Sequence, residues 1–221
     1  MIEIFESTDK FPLQKIGKMA GVCWNSPISD AEKNILRAKE CIKSGHGRVL
    51  EFVDVEICIS GYSARAIREY YTHIAGGPTR LQESTRYVNC EKFEYFVPPS
   101  VSASTKNEKI YRECMDFIRE KYALLLESGV SREDAANVLP LGMFTKIVDK
   151  RNLRNLVNLM NQRLCSRAYS EIRSLALEIR DSLSHYSQEW AWISETLFVP
   201  KCDVSLFCSE KQSCGRRPKR N

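Results

Sequence analysis

The chain is short of the patterns that assign a function at a glance. It has three histidines in 221 residues, His46, His73 and His185. Their spacings make no histidine metal site, and no Ser-His-Asp arrangement can be read from them. No apolar run approaches the roughly 20 residues that span a bilayer, so no membrane partner is expected. The first residues, MIEIFESTDKFPL, lack a basic stretch followed by an apolar one. No signal or transit peptide is therefore expected, and the location is expected to be cytoplasmic. Neither a Walker loop nor a dinucleotide-binding glycine fingerprint occurs. Excess charge is small too. The formal net charge is +5, and part of it lies in the last residues, Arg216-Arg217-Pro218-Lys219-Arg220. A mildly basic body favours a local anion pocket over the broad basic face that a nucleic-acid partner needs.

What is present is an ordinary globular balance, 28% charged and 43% hydrophobic. Met1 to Gly21 reads as a short strand and a loop. Ser29 to Ser44 reads as a capped helix, and Leu50 to Ser60 as a strand with one wet face, Phe52 or Val53, Val55, Ile57 and Ile59 pointing inward. Ala64 to His73 is a helix. Phe93 to Val97 looks like a strand, stopped by Pro98-Pro99. Asn107 to Ser128 is an amphipathic helix, and Ser131 caps a short one. Leu141 to Lys150 is a strand or connector. Asn152 to His185 is one very long helix or two abutting ones, and Trp190 to Leu197 a last short element. The class is α+β. Residues 1–199 read as one domain, and 200–221 as an appended Cys- and Arg-bearing tail.

Two stretches concentrate hydrogen-bonding groups. In REYYTHIAGGPTRLQESTRY, Arg68 to Tyr87, a helix runs into Gly76-Gly77-Pro78, and the pair Arg80 and Arg86 brackets a Gln-Glu-Ser-Thr run. Arginine forks match phosphate and carboxylate geometry, and a glycine break lets backbone approach a ligand. The bland alternative is a solvated loop. In NLRNLVNLMNQRLCSRAYSE, Asn152, Asn155 and Asn158 recur at helical spacing, and Arg163 lies eleven residues after Asn152, nearly eclipsed with it. Asparagine is a poor helix former because its amide competes with the backbone. A row of them suggests donors facing a polar ligand; a wet helix face is the plainer reading, though Lys and Glu usually supply it.

Nine cysteines are expected as thiols or metal ligands rather than disulfides. The tail spaces three of them evenly, Cys202-x5-Cys208-x5-Cys214. Zinc patterns use closer pairs and a fourth ligand, which Cys90 or Cys165 would supply only through folding. A metal is not assigned; these three are the candidates should one bind, and the alternative is a tail packed on the body.

Together the two stretches resemble the flavin-dependent thymidylate synthases. That family's signature is Arg-His-Arg, seven residues, Ser, and then Arg-Tyr. This chain reads Thr72-His73-Ile74, nine residues, Ser84-Thr85-Arg86-Tyr87. The family's second segment, Leu-Pro followed by Asn-x-Arg-x-x-x-Asn and an arginine, matches Leu139-Pro140, Asn152, Arg154, Asn158 and Arg163, with Glu171 in place. A third match is Gly45-His46 and Leu50-Glu51, where Phe52 stands for a frequent histidine. The matches span roughly residues 40 to 175, with Ala136, Thr72 and Ile74 replacing arginines.

The resemblance implies a central mixed sheet with long helices, and a homotetramer whose active sites are shared between subunits. It implies FAD as cofactor, with NADPH and methylenetetrahydrofolate as co-substrates in the reductive methylation of dUMP to dTMP. For dUMP it implies Arg68, Glu69, Gln82, Glu83, Ser84, Thr85, Arg86 and Arg163, of which Arg163 and Ser84 are catalytic. For FAD it implies His73, Arg80, Asn152, Arg154 and Asn158, with Arg80 substituting for a lost arginine. Two other readings remain: a related flavin or folate enzyme acting on another pyrimidine nucleotide, and a nucleotide- or RNA-binding protein that has lost its flavin.

Overall fold

The computed structural model describes residues 1–219; Arg220 and Asn221, the end of the basic tail, lie outside the described residues. Four strands, β1 (Ile2–Ile4), β2 (Asp54–Ser63), β3 (Thr79–Gln82) and β4 (Phe144–Asn152), pair in the order β1-β2-β4-β3. Every pairing is antiparallel. The sheet is thus not the mixed one expected. The connection through α3 returns β3 in the same direction as β2, but β4 lies between the two strands, so no neighbours are parallel.

Alternation builds the core face of β2. Val53, Val55, Ile57 and Ile59 are buried, while Asp54, Glu56 and Cys58 between them are partly wet. Phe52 belongs to the short 3-10 turn Gly47–Phe52 and is exposed, so Val53 is the inward residue of that pair. The stretch from Leu141 resolves as β4, whose buried positions are Thr145, Ile147, Asp149 and Arg151.

The helices are α1 (Pro12–Cys23), α2 (Ala31–Lys43), α3 (Ala64–Tyr70), α4 (Pro99–Ser102), α5 (Thr105–Glu127), α6 (Arg132–Ala135), α7 (Leu153–Arg163), α8 (Ser170–Tyr186), α9 (Gln188–Leu197) and α10 (Lys201–Ser205). Leu153, Leu156, Leu159 and Met160 of α7 and Ile172, Leu175, Ile179 and Leu183 of α8 join the sheet's inner face, with Trp190 and Ile193 of α9, in one core. Among the described residues no helix is long and apolar enough to cross a membrane.

Three local expectations change. The first residues hold α1 rather than a loop. Its free N-terminal amides are met from afar: the buried Glu189 carboxylate of α9 accepts from Leu13 N at 2.7 Å and Gln14 N at 3.2 Å. Such a cap is invisible to local patterning. The stretch from Phe93 makes only an isolated bridge, Tyr95 to Met143. The long helical stretch is two helices, with Leu164 capping the first.

Candidate active site

β4 hands the chain to α7, and that junction organises the site. Asn152 ends β4 and caps α7, its side chain accepting from Asn155 N at 2.9 Å. The strand's alternation turns Asp149 and Arg151 inward, 0% and 2% exposed. Arg151 closes a fork on Asp149, Nε to Oδ2 at 2.6 Å and Nη2 to Oδ1 at 2.8 Å. Tyr70 of α3 donates to the same carboxylate at 2.9 Å, and its ring lies 4.1 Å from the guanidinium carbon. Burial pushes the Tyr70 phenol well above its usual pKa, so the hydroxyl stays a donor. Arg151 Nη1 then donates to Asn155 Oδ1 at 2.7 Å. The Asn155 amide donates on to the carbonyls of His73 and Ala75. A buried charged pair thus fixes the turn that carries the glycine break.

On that turn a second set forms. Arg163, the last residue of α7, donates from Nε to His73 Nε2 at 2.9 Å and pairs through Nη1 with Glu69. Its Nη2 reaches Thr72 Oγ1 at 3.4 Å. His73 is 7% exposed. Burial first, then the guanidiniums of Arg163 and Arg151, push its pKa down to about 4. The imidazole is neutral at neutral pH. Because Nε2 accepts from Arg163, the ring proton sits on Nδ1.

Beside this set lies a cavity of about 240 Å³ lined by Glu51, Gly76, Asn152, Arg154, Asn155 and Asn158. Arg154 Nη1 is held by Glu51 at 2.5 Å. Gly76 has φ +80°, and a Cβ there would stand 2.6 Å from Asn152 Nδ2. Only glycine keeps that wall open. Amides and a guanidinium form the lining, a donor set suited to the polar portions of a flavin dinucleotide. The cavity is below the roughly 300–1,000 Å³ of ligand pockets, so it fits part of such a molecule.

The cradle segment lies elsewhere. Arg80 turns inward, its guanidinium 4.3 Å over the Tyr71 ring and donating to Tyr71 O at 2.9 Å. Gln82 Nε2 donates to Thr145 Oγ1 at 3.2 Å, and Glu83 N to Lys146 O at 2.8 Å. Ser84 Oγ accepts from Arg86 N at 3.3 Å, while the Arg86 side chain pairs with Glu133 at 3.0 Å. Thr85 is half-buried next to them, and Arg68 is exposed on α3. Thr79 pairs with Lys150 at the α7 end of β3, and Gln82 with Ile147 at the other. One chain therefore brings together Glu69, His73 and Arg163, and next to them Asn152, Arg154 and Asn158. It does not bring Ser84 and Arg86 to them.

A model of the family described as thymidylate synthase complementing protein matches residues 4–186. The flavin-dependent thymidylate synthase of Geobacter sulfurreducens is 36% identical over 177 residues, 76% of this chain and 75% of that protein. This chain belongs to the flavin-dependent thymidylate synthases. That of Saccharolobus solfataricus is 35% identical over 147 residues, 66% of this chain and 55% of that protein. The crystal structure of thymidylate synthase X from Helicobacter pylori with FAD and dUMP shares the fold, with a TM-score of 0.67 at 21% identity over 90% of this chain and 99% of that one. In the Thr72-His73-Ile74 segment, Ile74 is exposed and the Thr72 hydroxyl donates to the Glu69 carbonyl at 2.7 Å. Glu171, also in register, is buried and accepts from Ser63 N and Ser63 Oγ, each at 2.6 Å, so it anchors the start of α3. The family match stops before α9 and the tail.

Proposed function

We propose that this chain catalyses the reductive methylation of dUMP to dTMP, with methylenetetrahydrofolate supplying the carbon, NADPH the hydride and FAD as resident cofactor. The observation that carries the reading is the Arg163 guanidinium held between Glu69 and His73. Bound flavin supplies the redox chemistry. Arg163 binds the pyrimidine carbonyl and offsets negative charge that builds on the ring as its carbon 5 becomes nucleophilic. Its partners hold it in place beforehand, which is how a fixed donor lowers a barrier. Neutral His73 presents Nε2 as the acceptor that holds Arg163, which a protonated ring could not do. Asn152, Arg154 and Asn158 hold polar groups of the flavin. Ser84 lies near the uracil, and Arg86 with the Gln82–Thr85 backbone holds the nucleotide phosphate.

Those last residues act across a subunit boundary. In support, the hydrogen bonds and ion pairs of Arg163 go to His73, Glu69 and Thr72 while the Arg86 side chain pairs with Glu133, and the flavin cavity is smaller than its ligand. The apolar stripe Ile110, Phe117 and Leu124 on α5 is 57%, 57% and 48% exposed. Residues seven apart stay within about 20° on a helix, so the stripe is one continuous face for packing in a homotetramer. A cytoplasmic location fits the absence of a membrane-crossing helix among the described residues.

The test is an absorption spectrum during anaerobic NADPH addition, with and without dUMP. Bound flavin that bleaches faster with dUMP supports the proposal. Failure to bind FAD even when it is added overturns it. Product analysis with dUMP and dCMP then fixes the pyrimidine.

A further inference from the structure

The chain continues past the family match, and what it builds there is a wall. Asn161 of α7 donates to Leu197 O at 3.2 Å and Val199 O at 2.7 Å, which fastens the chain where α9 ends. Residues 200–219 then turn back on themselves. Cys208 N donates to Pro218 O at 2.7 Å, and Arg167 of the α7–α8 turn donates to Gln212 at 3.0 Å. Between this tail and the α7–α8 turn lies a cavity of about 500 Å³, inside the roughly 300–1,000 Å³ range of ligand sites. Arg163 lines it, so the cavity adjoins the candidate active site.

The lining is cationic. Arg163, Arg167, Lys201, Arg216 and Arg217 share it with one carboxylate, Glu210. Glu69 pairs with Arg163, and Asp203 of α10 divides its two oxygens between Arg216 at 3.0 Å and Arg217 at 2.9 Å. Five cations against three carboxylates leave an excess of two positive charges. Both tail arginines meet Asp203 through Nε, and a guanidinium carries four further N–H donors beyond that one. Like charges crowded in a cleft repel one another and focus their field on whatever enters it. A dianion offsets the excess. The cysteines do not account for the cavity. Cys165, Cys202, Cys208 and Cys214 line it too, but among the described residues no group of three or more potential ligands could hold a metal ion. That removes the three tail cysteines as metal candidates. Cys90 packs with Tyr122 and Ala135 in a separate small core.

We propose that this cavity binds the dianionic end of a co-substrate, with Lys201, Arg216 and Arg217 of the tail as its anchors. The proposal rests on the synthase reading above. Two co-substrates of that reaction carry such a group: the folate ends in a glutamate with two carboxylates, and NADPH carries a 2′-phosphate that NADH lacks. Arginine forks suit either. Each group is remote from the reacting atoms, so its binding holds the co-substrate without joining the chemistry. The dUMP phosphate has its own cradle at Arg86 in that reading.

The full-length, flavin-loaded protein is titrated by calorimetry with two matched pairs of unreactive probes. Folate is set against pteroate, which lacks the glutamate, and NADP⁺ against NAD⁺, which lacks the 2′-phosphate. In at least one pair the probe with the dianion should bind about tenfold tighter or more, and the pair that responds names the co-substrate. Lys201→Gln and Arg216→Gln, both at exposed positions, should each remove most of that difference. Lys211→Gln, an exposed tail lysine outside the cavity lining, should keep it. On wild-type protein the difference should shrink as salt is raised, which decides the matter even if a variant fails to fold. Equal binding within both pairs overturns the proposal. So does a difference that neither salt nor the two variants move, or a loss confined to dUMP binding. Flavin that binds and bleaches faster with dUMP while neither pair is discriminated sinks this proposal alone; failure to bind flavin sinks the catalytic one.

Discussion

At the scale of single residues, Arg163 and His73 make opposite demands that the fold reconciles. Burial first, and then the guanidiniums of Arg163 and Arg151, keep the imidazole neutral. His73 therefore takes up its proton only near pH 4, against an ordinary 6.5. The unfolded chain binds that proton first, so stability is lost as pH falls from about 6.5 to about 4, and is fully present above that window. The loss is about 3 kcal/mol. Urea denaturation across the window should show it, and His73→Gln should flatten that part of the profile. Arg163→Ala should lower kcat by about 10²–10³-fold while flavin stays bound. Arg163→Lys should not rescue it, because one ammonium cannot occupy the fork that meets both Glu69 and His73. Single-turnover assays read both. Arg163, Asn152, Arg154 and Asn158 were legible in sequence because asparagines in a helix demand a reason and the family register agrees. Asp149, Arg151 and Tyr70 were not singled out. The one local signal for the first two is period-two spacing from Ile147, with Lys146 and Lys150 facing out.

At the scale of elements, β4 matters more than any helix. Its inner face runs from Thr145 and Ile147 to an ion pair, and that pair holds the His73–Ala75 turn through Asn155. Removing one partner of a buried pair leaves the other charge uncompensated. Asp149→Asn should therefore cost about 3–5 kcal/mol, seen as a Tm lower by roughly 10 °C, and should weaken flavin binding as the turn loosens. An unchanged Tm would remove the pair from its structural role. The helices from Ser29 and Asn107 were legible because their apolar stripes are local; Asp30 caps the first, one of the two caps its sequence offers, while Ser104 caps the second from within the stretch read as a polar loop. α1 was missed because its cap, Glu189, comes from the other end of the chain.

At the scale of the molecule, one chain keeps the two proposed parts of the site apart. The Arg163 set stands at one end of β3 and the Ser84–Arg86 segment beyond the other. The α5 stripe offers a surface on which the halves of different chains can be brought together. Phe117→Glu should leave the isolated fold intact, because Phe117 is already wet in it, and should shift the protein to smaller assemblies by light scattering, with loss of synthase activity. A variant that assembles as wild type would move the interface off α5.

The sequence by itself determined the class, most helices, the inward face of β2, and the residue types of the proposed site. Each is a matter of short-range periodicity, capping or motif register. The tertiary structure decided which of those residues meet. It made the sheet antiparallel, buried Asp149 and Arg151 beneath the glycine break, and parted Ser84 from Arg163. It also set Cys165, rather than Cys90, against the tail. Those outcomes depend on contacts between residues many tens of positions apart, where loop closure and packing choose among arrangements that local pattern leaves equal.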